Sequence, residues 1–384
     1  MEQHTQALPE CLPPLQSLAE FLSLLTDQRA PRGIRYAFFP LLMIVLLAKL
    51  AQADKPSAIA DWADGQADWL RENLQVNWPR MPHHSTYRRL LQRGLLTTEF
   101  EQQAGRFLQQ RLDPQEKHFN LDGKTLRGTI PSGDTQGVHL LALQQASTNC
   151  VIAQRAVGAK ENEISNAPVL LKTIDLTGKI ISGDAMHAQR SLSQQIVAGG
   201  GDYLWTVKQN QSALWKQLAA GLGDEKSLPP DAETASAYDK GHGRIEWRQL
   251  TTSQQVTNTL DWPHAAQAFV LRRQRTDCRT GKTTEQIDYG ITSLNGWQAD
   301  APSLLELTRK HWSIENGLHY RRDVTFSEDR CRMKSAVAAE CLAIINNVLI
   351  GLLRWLGWNN LAKARRYYST HLSEAFQALH RASG

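Results

Sequence analysis

The chain has 384 residues, a length that fits two or three domains with substantial cores. With 41% hydrophobic and 21% charged residues it is not disordered or fibrous, and five widely spaced cysteines without a CxxC pair argue against a disulfide framework or a zinc ribbon. Lys and Arg number 43 against 38 Asp and Glu, a net charge of +5 that is compatible with a nucleic-acid partner without pointing to one.

The opening residues lack the basic run and apolar stretch of a secretory signal. The most apolar stretch, Ala37 to Ala48, is about a dozen residues, short of the roughly 20 a membrane span needs. Asn346, Asn347 and Arg354 interrupt a second, Cys341 to Trp358. Both read as buried or half-buried helices, and the whole as a soluble, cytoplasmic protein. Residues 1–112 look helical throughout. Leu15, Leu18, Phe21 and Leu24 recur at helical intervals, Asp27 to Arg35 is a basic connector, and Pro40 fits the first turn of the apolar helix. Ser57 and Ser85 are candidate N-caps of two further helices. Two readings of this block stand side by side: a DNA-binding domain of helix-turn-helix character presenting Arg88 and Arg89, or a helical cap on a catalytic core.

After Pro114 the periodicity changes. Strands are expected at Phe119 to Asp122, Val138 to Leu143, Cys150 to Ala156, Lys179 to Asp184 and Tyr203 to Val207. Helices are expected at Glu163 to Leu171, Ala185 to Val197 and Gln211 to Leu218. Gly221 to Gly241 reads as an exposed connection, and Arg244 to Ile291 as a β-rich insertion. Leu304 to Tyr320 and Ala336 to Trp358 are helical, and the basic tail from Ala362 is expected to be peripheral.

Three acids stand out. Asp122 and Asp184 each end an apolar strand, where a charge is costly unless it is paired or bound to a cation. Glu315 has Trp312 three residues before it and Leu318 three after, which places it at the border of a packed helix face. Carboxylates without a His and Cys cluster favour a hard ion such as Mg²⁺ or Mn²⁺, and two such ions suit phosphoryl transfer. The bland alternative for each aspartate is a turn or N-cap residue. Lys124, Arg127, Lys208, Arg321 and Arg322 lie near these acids and suit a phosphate-backbone substrate. His242-Gly243-Arg244-Ile245-Glu246 is a further polar cluster, which could touch DNA or pair across a hairpin. There is no GxxxxGK[ST] loop, GxGxxG fingerprint or HExxH.

The motifs Leu121 to Gly128, Lys160 to Ile164, Gly183 to Gln189, Gly201 to Tyr203, Lys208 to Gln211, His242 to Glu246 and His311 to His319 follow one another in order. In this the chain closely resembles the ISAs1-type insertion-sequence transposases, which include the H-repeat-associated proteins of enteric bacteria. The resemblance covers about residues 118 to 335, and Asp27 to Tyr36 and Pro82 to Arg89 match the helical region ahead of the family's catalytic domain. It implies an α/β ribonuclease H-like catalytic core with a β-rich insertion at about 222–300, an all-helical N-terminal region over 1–112 and a catalytic domain over 113–384 ending in helices. It assigns the catalytic, metal-holding triad to Asp122, Asp184 and Glu315, with Asp323 as the alternative third acid. Lys124, Arg127, Lys208, His242, Arg244, His311 and Arg322 become DNA contacts or support.

The resemblance further implies Mg²⁺ or Mn²⁺ as a pair of ions, double-stranded DNA as substrate, and a homo-oligomeric synaptic complex. The stretch His319-Tyr320-Arg321-Arg322-Asp323 departs from the family's usual text and marks a divergent member. A metal-dependent nuclease without transposition and a non-catalytic DNA-binding descendant are the competing readings.

Overall fold

The computed structural model describes residues 17–158, 160–241 and 243–381. The chain divides into two compact units. Among the described residues, the first joins those up to Leu112 to those from Val337 onward, and the second is Asp113–Ala336.

The first unit opens with α1 (Leu18–Ser23), α2 (Phe38–Leu50), α3 (Pro56–Gly65), α4 (Ala67–Asn73), α5 (His84–Arg89) and α6 (Thr97–Gln109). Apolar residues surround α2 on every side, and from Leu41 to Leu50 it is wholly buried, as such a helix must be. Two expected caps are elsewhere. Lys55 precedes α3, whose first residue is Pro56, and the His83 ring, not Ser85, caps α5 by accepting from the Ser85 N–H. Arg88 and Arg89 are both exposed.

The second unit is built on β1 (His118–Leu126), β2 (Val138–Gln145), β3 (Val151–Val157), β4 (Ile180–Gly183), β5 (Asp202–Val207), β6 (Glu233–Gly241), β7 (Arg244–Ser253), β8 (Gln267–Asp277) and β9 (Thr283–Thr292). Among the described residues these nine strands form one sheet, in the order β3-β2-β1-β4-β5-β9-β8-β7-β6. β1, β4 and β5 run parallel, while β2 and β3 lie antiparallel on one side, which is the ribonuclease H-like arrangement expected. Its helices are α7 (Glu163–Leu171), α8 (Arg190–Ala198), α9 (Ser212–Leu222) and α10 (Ala301–His311).

The β-rich stretch is not a separate body. β9 pairs antiparallel with β5, Trp205 opposite Ile291, so the hairpins continue the core sheet outward. Its outermost strand, β6, occupies part of the stretch expected to be an exposed connection. Alternating exposed and half-buried residues from Glu233 to Gly241 gave it little apolar signal.

The C-terminal helices are α11 (Ala336–Trp355), α12 (Leu361–Thr370) and α13 (Leu372–His380). From Val337 they cluster with the N-terminal helices. α11 is long and apolar enough to cross a membrane by length and composition, yet it is mostly buried. The basic tail is not wholly peripheral either. Arg365 is 2% exposed, donates to the Lys49 carbonyl at 2.9 and 2.7 Å, and meets Asp54 at 2.8 Å. Lys49, buried on α2, reaches the same carboxylate at 3.2 Å. One acid thus serves two buried cations.

Candidate active site

Parallel pairing between β1 and β4 sets Leu121 opposite Gly183, so the next residues, Asp122 and Asp184, emerge side by side. Neighbouring strands lie about 4.8 Å apart. Asp122 does not end its strand. β1 runs on to Leu126 against β2, and what ends beside Asp122 is the β4 partner.

Asp184 is oriented by the turn that follows it. Its Oδ1 accepts from the Met186 N–H at 2.9 Å, an Asx-type turn. Two side chains beyond β5 hold this turn. Asn210 Nδ2 donates to the Ala185 carbonyl at 2.7 Å and Gln211 Nε2 to that of Ala188 at 2.9 Å. Asn210 and Gln211 belong to a motif visible in the sequence, but their support of the Asp184 loop was not.

Glu315 arrives from α10, which Asp300 caps by accepting from the Ser303 N–H. After His311 the helix widens into a π-helical stretch, Ile314–His319, a geometry frequent at functional sites. Asn120 of β1 anchors this junction, donating to Ser313 Oγ at 2.9 Å and to the Lys310 carbonyl at 3.3 Å. Glu315 is exposed, in contrast to the half-packed position its neighbours implied.

Asp122, Asp184 and Glu315 all line one open cavity of about 160 Å³, together with Lys208, Arg273, His311 and Trp312. On this measure a single water needs roughly 10–15 Å³, so the space admits a hydrated ion. Lys208 is exposed there, and the Arg273 guanidinium sits 5.1 Å from the centre of the 42%-exposed Trp312 ring. Asp323 is absent from the lining; Lys124 Nζ donates to it at 2.6 Å.

Beneath the acids lies a buried polar network. Ser182 Oγ is 2.7 Å from His118 Nε2, 2.9 Å from His311 Nδ1 and 3.0 Å from Asn120 Oδ1. Burial pushes His118 down to about 3 and His311 to about 4, so both rings are neutral at pH 7. His311 therefore supports the floor of the site as an uncharged hydrogen-bonding ring.

Burial, and then the negative charge of Glu163, raise Asp122 to about 7. Such a carboxyl is half protonated at neutral pH, and a divalent cation would restore its ionised form. Among the described residues no three His, Cys, Asp or Glu side chains gather closely enough to hold an ion by themselves. The adjacent Asp122 and Asp184, with Glu315 on the same cavity, nonetheless fit Mg²⁺. That ion takes one or two carboxylates, several waters and substrate phosphates.

The other expected residues are scattered. Arg127 is exposed, with its backbone N–H donating to Asp329 Oδ1 at 3.2 Å. Arg244 is exposed opposite Asp277, four residues along β8 from Arg273 and so roughly 13 Å away on the same face. Glu246 pairs with Arg248 at 2.5 Å and Arg275 at 3.0 Å. His242 lies outside the described residues. Arg322 is corrected from a DNA contact to a structural residue: it is 0% exposed, with its Nη2 2.9 Å from Glu328 and its Nη1 3.3 Å from Gln154. The alternating charges of the sequence gave no sign that this arginine faces inward.

The family model described as "Transposase DDE domain" matches residues 113–352, and the one described as "DDE_Tnp_1-associated" matches residues 19–108. The chain is 27% identical over 347 residues to "Putative protein YbfL" of Escherichia coli (strain K12), covering 88% of this chain and 90% of that protein. It is 26% identical over 347 residues to "H repeat-associated putative transposase YhhI" of the same strain, with the same coverage. A piggyBac transposase in a synaptic complex with hairpin DNA superposes with a TM-score of 0.45 at 11% identity, covering 96% of this chain and 77% of that one, a likeness too slight to carry an argument.

Proposed function

Because the chain belongs to the transposase DDE domain family, we propose that it is an ISAs1-type insertion-sequence transposase that cuts DNA at element ends and joins them to a target. The register that sets Asp122 beside Asp184, at a cavity that Glu315 also lines, carries this reading. These three carboxylates would hold one or two Mg²⁺ or Mn²⁺ ions. Bound there, such ions supply activation of the attacking oxygen and stabilisation of the leaving one.

The rest falls to the chain's own residues. Lys208 and Arg273 at the cavity draw in the phosphate backbone, and the exposed Trp312 ring offers a face for an unstacked base. Water attacks the scissile phosphorus and the P–O3′ bond breaks, leaving a 5′-phosphate and a 3′-OH; that 3′-OH then attacks a target phosphorus and displaces the target strand's own 3′-oxygen, which leaves as a hydroxyl. The neutral His118, Ser182 and His311 network fixes the floor without adding charge. Joining two element ends calls for a homo-oligomeric synapse, assembled on DNA in the bacterial cytoplasm. Glu315 is preferred to Asp323 as third acid because Asp323 is already engaged by Lys124.

The test is cleavage of a labelled fragment carrying the gene's own flanking DNA, with Mg²⁺ or Mn²⁺, by the native chain and by Asp184→Asn. Cutting at element ends that vanishes in the variant, with joined products, is the expected result. Cutting without joined products would favour a nuclease. Specific binding without cutting by either protein would favour a non-catalytic descendant.

A further inference from the structure

Behind the acids, a fourth carboxylate has no part in the reading above. Glu163 is the first residue of α7, placed by a capping box in which Asn162 accepts from the Ser165 N–H. It is 8% exposed. Its Oε1 lies 2.8 Å from His139 Nε2 and its Oε2 3.1 Å from His187 Nε2. His139 is fixed in turn by Thr125 Oγ1 at 2.8 Å, and His187 is wholly buried.

The carboxylate presses against β1 at Gly123, the residue after Asp122. A Cβ on Gly123 would lie 2.3 Å from Glu163 Oε1 and 2.5 Å from His139 Nε2, so only glycine admits this approach. Successive strand residues point to opposite faces. Glu163 therefore lies over the face opposite to the Asp122 side chain. On the Asp122 side, His319 Nδ1 stands 3.8 Å from Oδ2, and its Nε2 is buried without a hydrogen-bond partner.

From this geometry we infer that Glu163 is a positioning residue for the cation site: hydrogen-bonded to His139 and 3.1 Å from the His187 ring behind Gly123, it adds a fixed negative charge that strengthens the hold of Asp122 and Asp184 on a divalent cation. Charge decides the matter here. An ionised carboxylate this near Asp122 opposes a second negative charge, and a cation at Asp122 relieves that opposition. Burial pushes Glu163 up as it does Asp122, but His139 and His187 outweigh it and hold this carboxyl down at about 2, ionised at neutral pH. Glu163 itself stays with its histidines and acts through Asp122. The inference rests on the reading of Asp122 and Asp184 as cation ligands.

The test is calorimetric titration of Mn²⁺ into the full-length native chain and the Glu163→Gln, Glu163→Asp and Asp184→Asn variants, with each thermal midpoint measured in EDTA. Partners behind metal ligands typically change affinity by about 10- to 100-fold. Glu163→Gln, nearly isosteric, is expected to weaken Mn²⁺ binding by about tenfold or more. Glu163→Asp keeps the charge and is expected to recover part of that loss, even if its shorter arm lowers the midpoint further. Native affinity in Glu163→Gln alongside loss of binding in Asp184→Asn overturns this inference alone. Equal weakening by Gln and Asp overturns it too, since packing and not charge would then be at work. Absence of Mn²⁺ binding by the native chain, or native affinity in Asp184→Asn, overturns the cation-site reading and this inference with it.

Discussion

Asp122 and Asp184 are neighbours because Leu121 and Gly183, one residue before each, face one another in the parallel β1–β4 pair. The relationship depends on register. A slip of one residue would turn Asp122 to the opposite face of the sheet, so the apolar burial of Phe119, Leu121 and Ile181 that sets the register also sets the acid pair.

Replacing either member of that pair tests it most directly. Asp122→Asn, Asp184→Asn and Glu315→Gln keep shape while removing a negative oxygen. Each is expected to lower strand cleavage by on the order of a hundredfold or more, with DNA retention in a gel-shift assay little changed. Native cleavage by Glu315→Gln would move the third acid to Asp323.

Gly123→Ala probes the crowding behind β1. The added methyl meets Glu163 Oε1 and His139 Nε2, atoms held in a hydrogen-bonded group and not free to swing away. Overpacking of this kind typically costs about 1–3 kcal/mol. A urea midpoint equal to the native one would show that the group relaxes freely.

Arg322 is expected to matter for folding before it matters for DNA. Arg322→Ala leaves Glu328 without a guanidinium that is 0% exposed, a loss of about 3–5 kcal/mol in denaturant unfolding. Arg322→Ala with native stability and weakened DNA binding would restore the surface-contact reading.

What the sequence disclosed divides along physical lines. Short apolar runs bounded by turn residues revealed β1, β2, β3, β4 and β5, and the span of α7 was legible to the residue, because local pattern and burial agree there. β6 escaped because an edge strand needs little apolar content, and the engagement of α11 and α12 with the N-terminal helices escaped because nothing local encodes it. In the site, Asp122, Asp184 and Glu315 stood out by type and position. Glu163 and His187 lay inside motifs already noticed, yet Glu163 of α7 reaches both Gly123 of β1 and His187 of the loop after β4. Such contacts are set by packing between distant segments.

The charges at the cavity mouth are expected to show in salt dependence. Lys208 is exposed, so Lys208→Ala should weaken DNA binding at all sequences alike, leave thermal stability nearly unchanged, and reduce the slope of log affinity against log salt by about 1. An unchanged slope in fluorescence-anisotropy titrations would remove Lys208 from the DNA path. Trp312→Ala should spare that slope and weaken single-stranded DNA more than duplex.

Stability should fall in acid before most carboxylates titrate. Burial holds His118 at about 3, His311 at about 4 and His319 at about 3, all below the unfolded value of roughly 6.5. Below that pH the unfolded chain takes up protons the folded chain refuses. The contribution of these rings is therefore complete above about pH 6.5 and is lost as the pH falls toward 4. Asp122 acts with the opposite sign: raised to about 7, it favours the folded state at low pH and gives that up as the pH rises through 7. Three rings against one carboxyl leave the urea midpoint, measured in EDTA, lower at pH 4.5 than at pH 6.5. Glu163, held at about 2, steepens the loss below its unfolded value of 4.5. Replacing His118 and His311 together by Asn should flatten the upper part of this profile, whatever it does to the midpoint at pH 7. An unchanged slope between pH 6.5 and 4.5 would mean that the rings charge without unfolding the site.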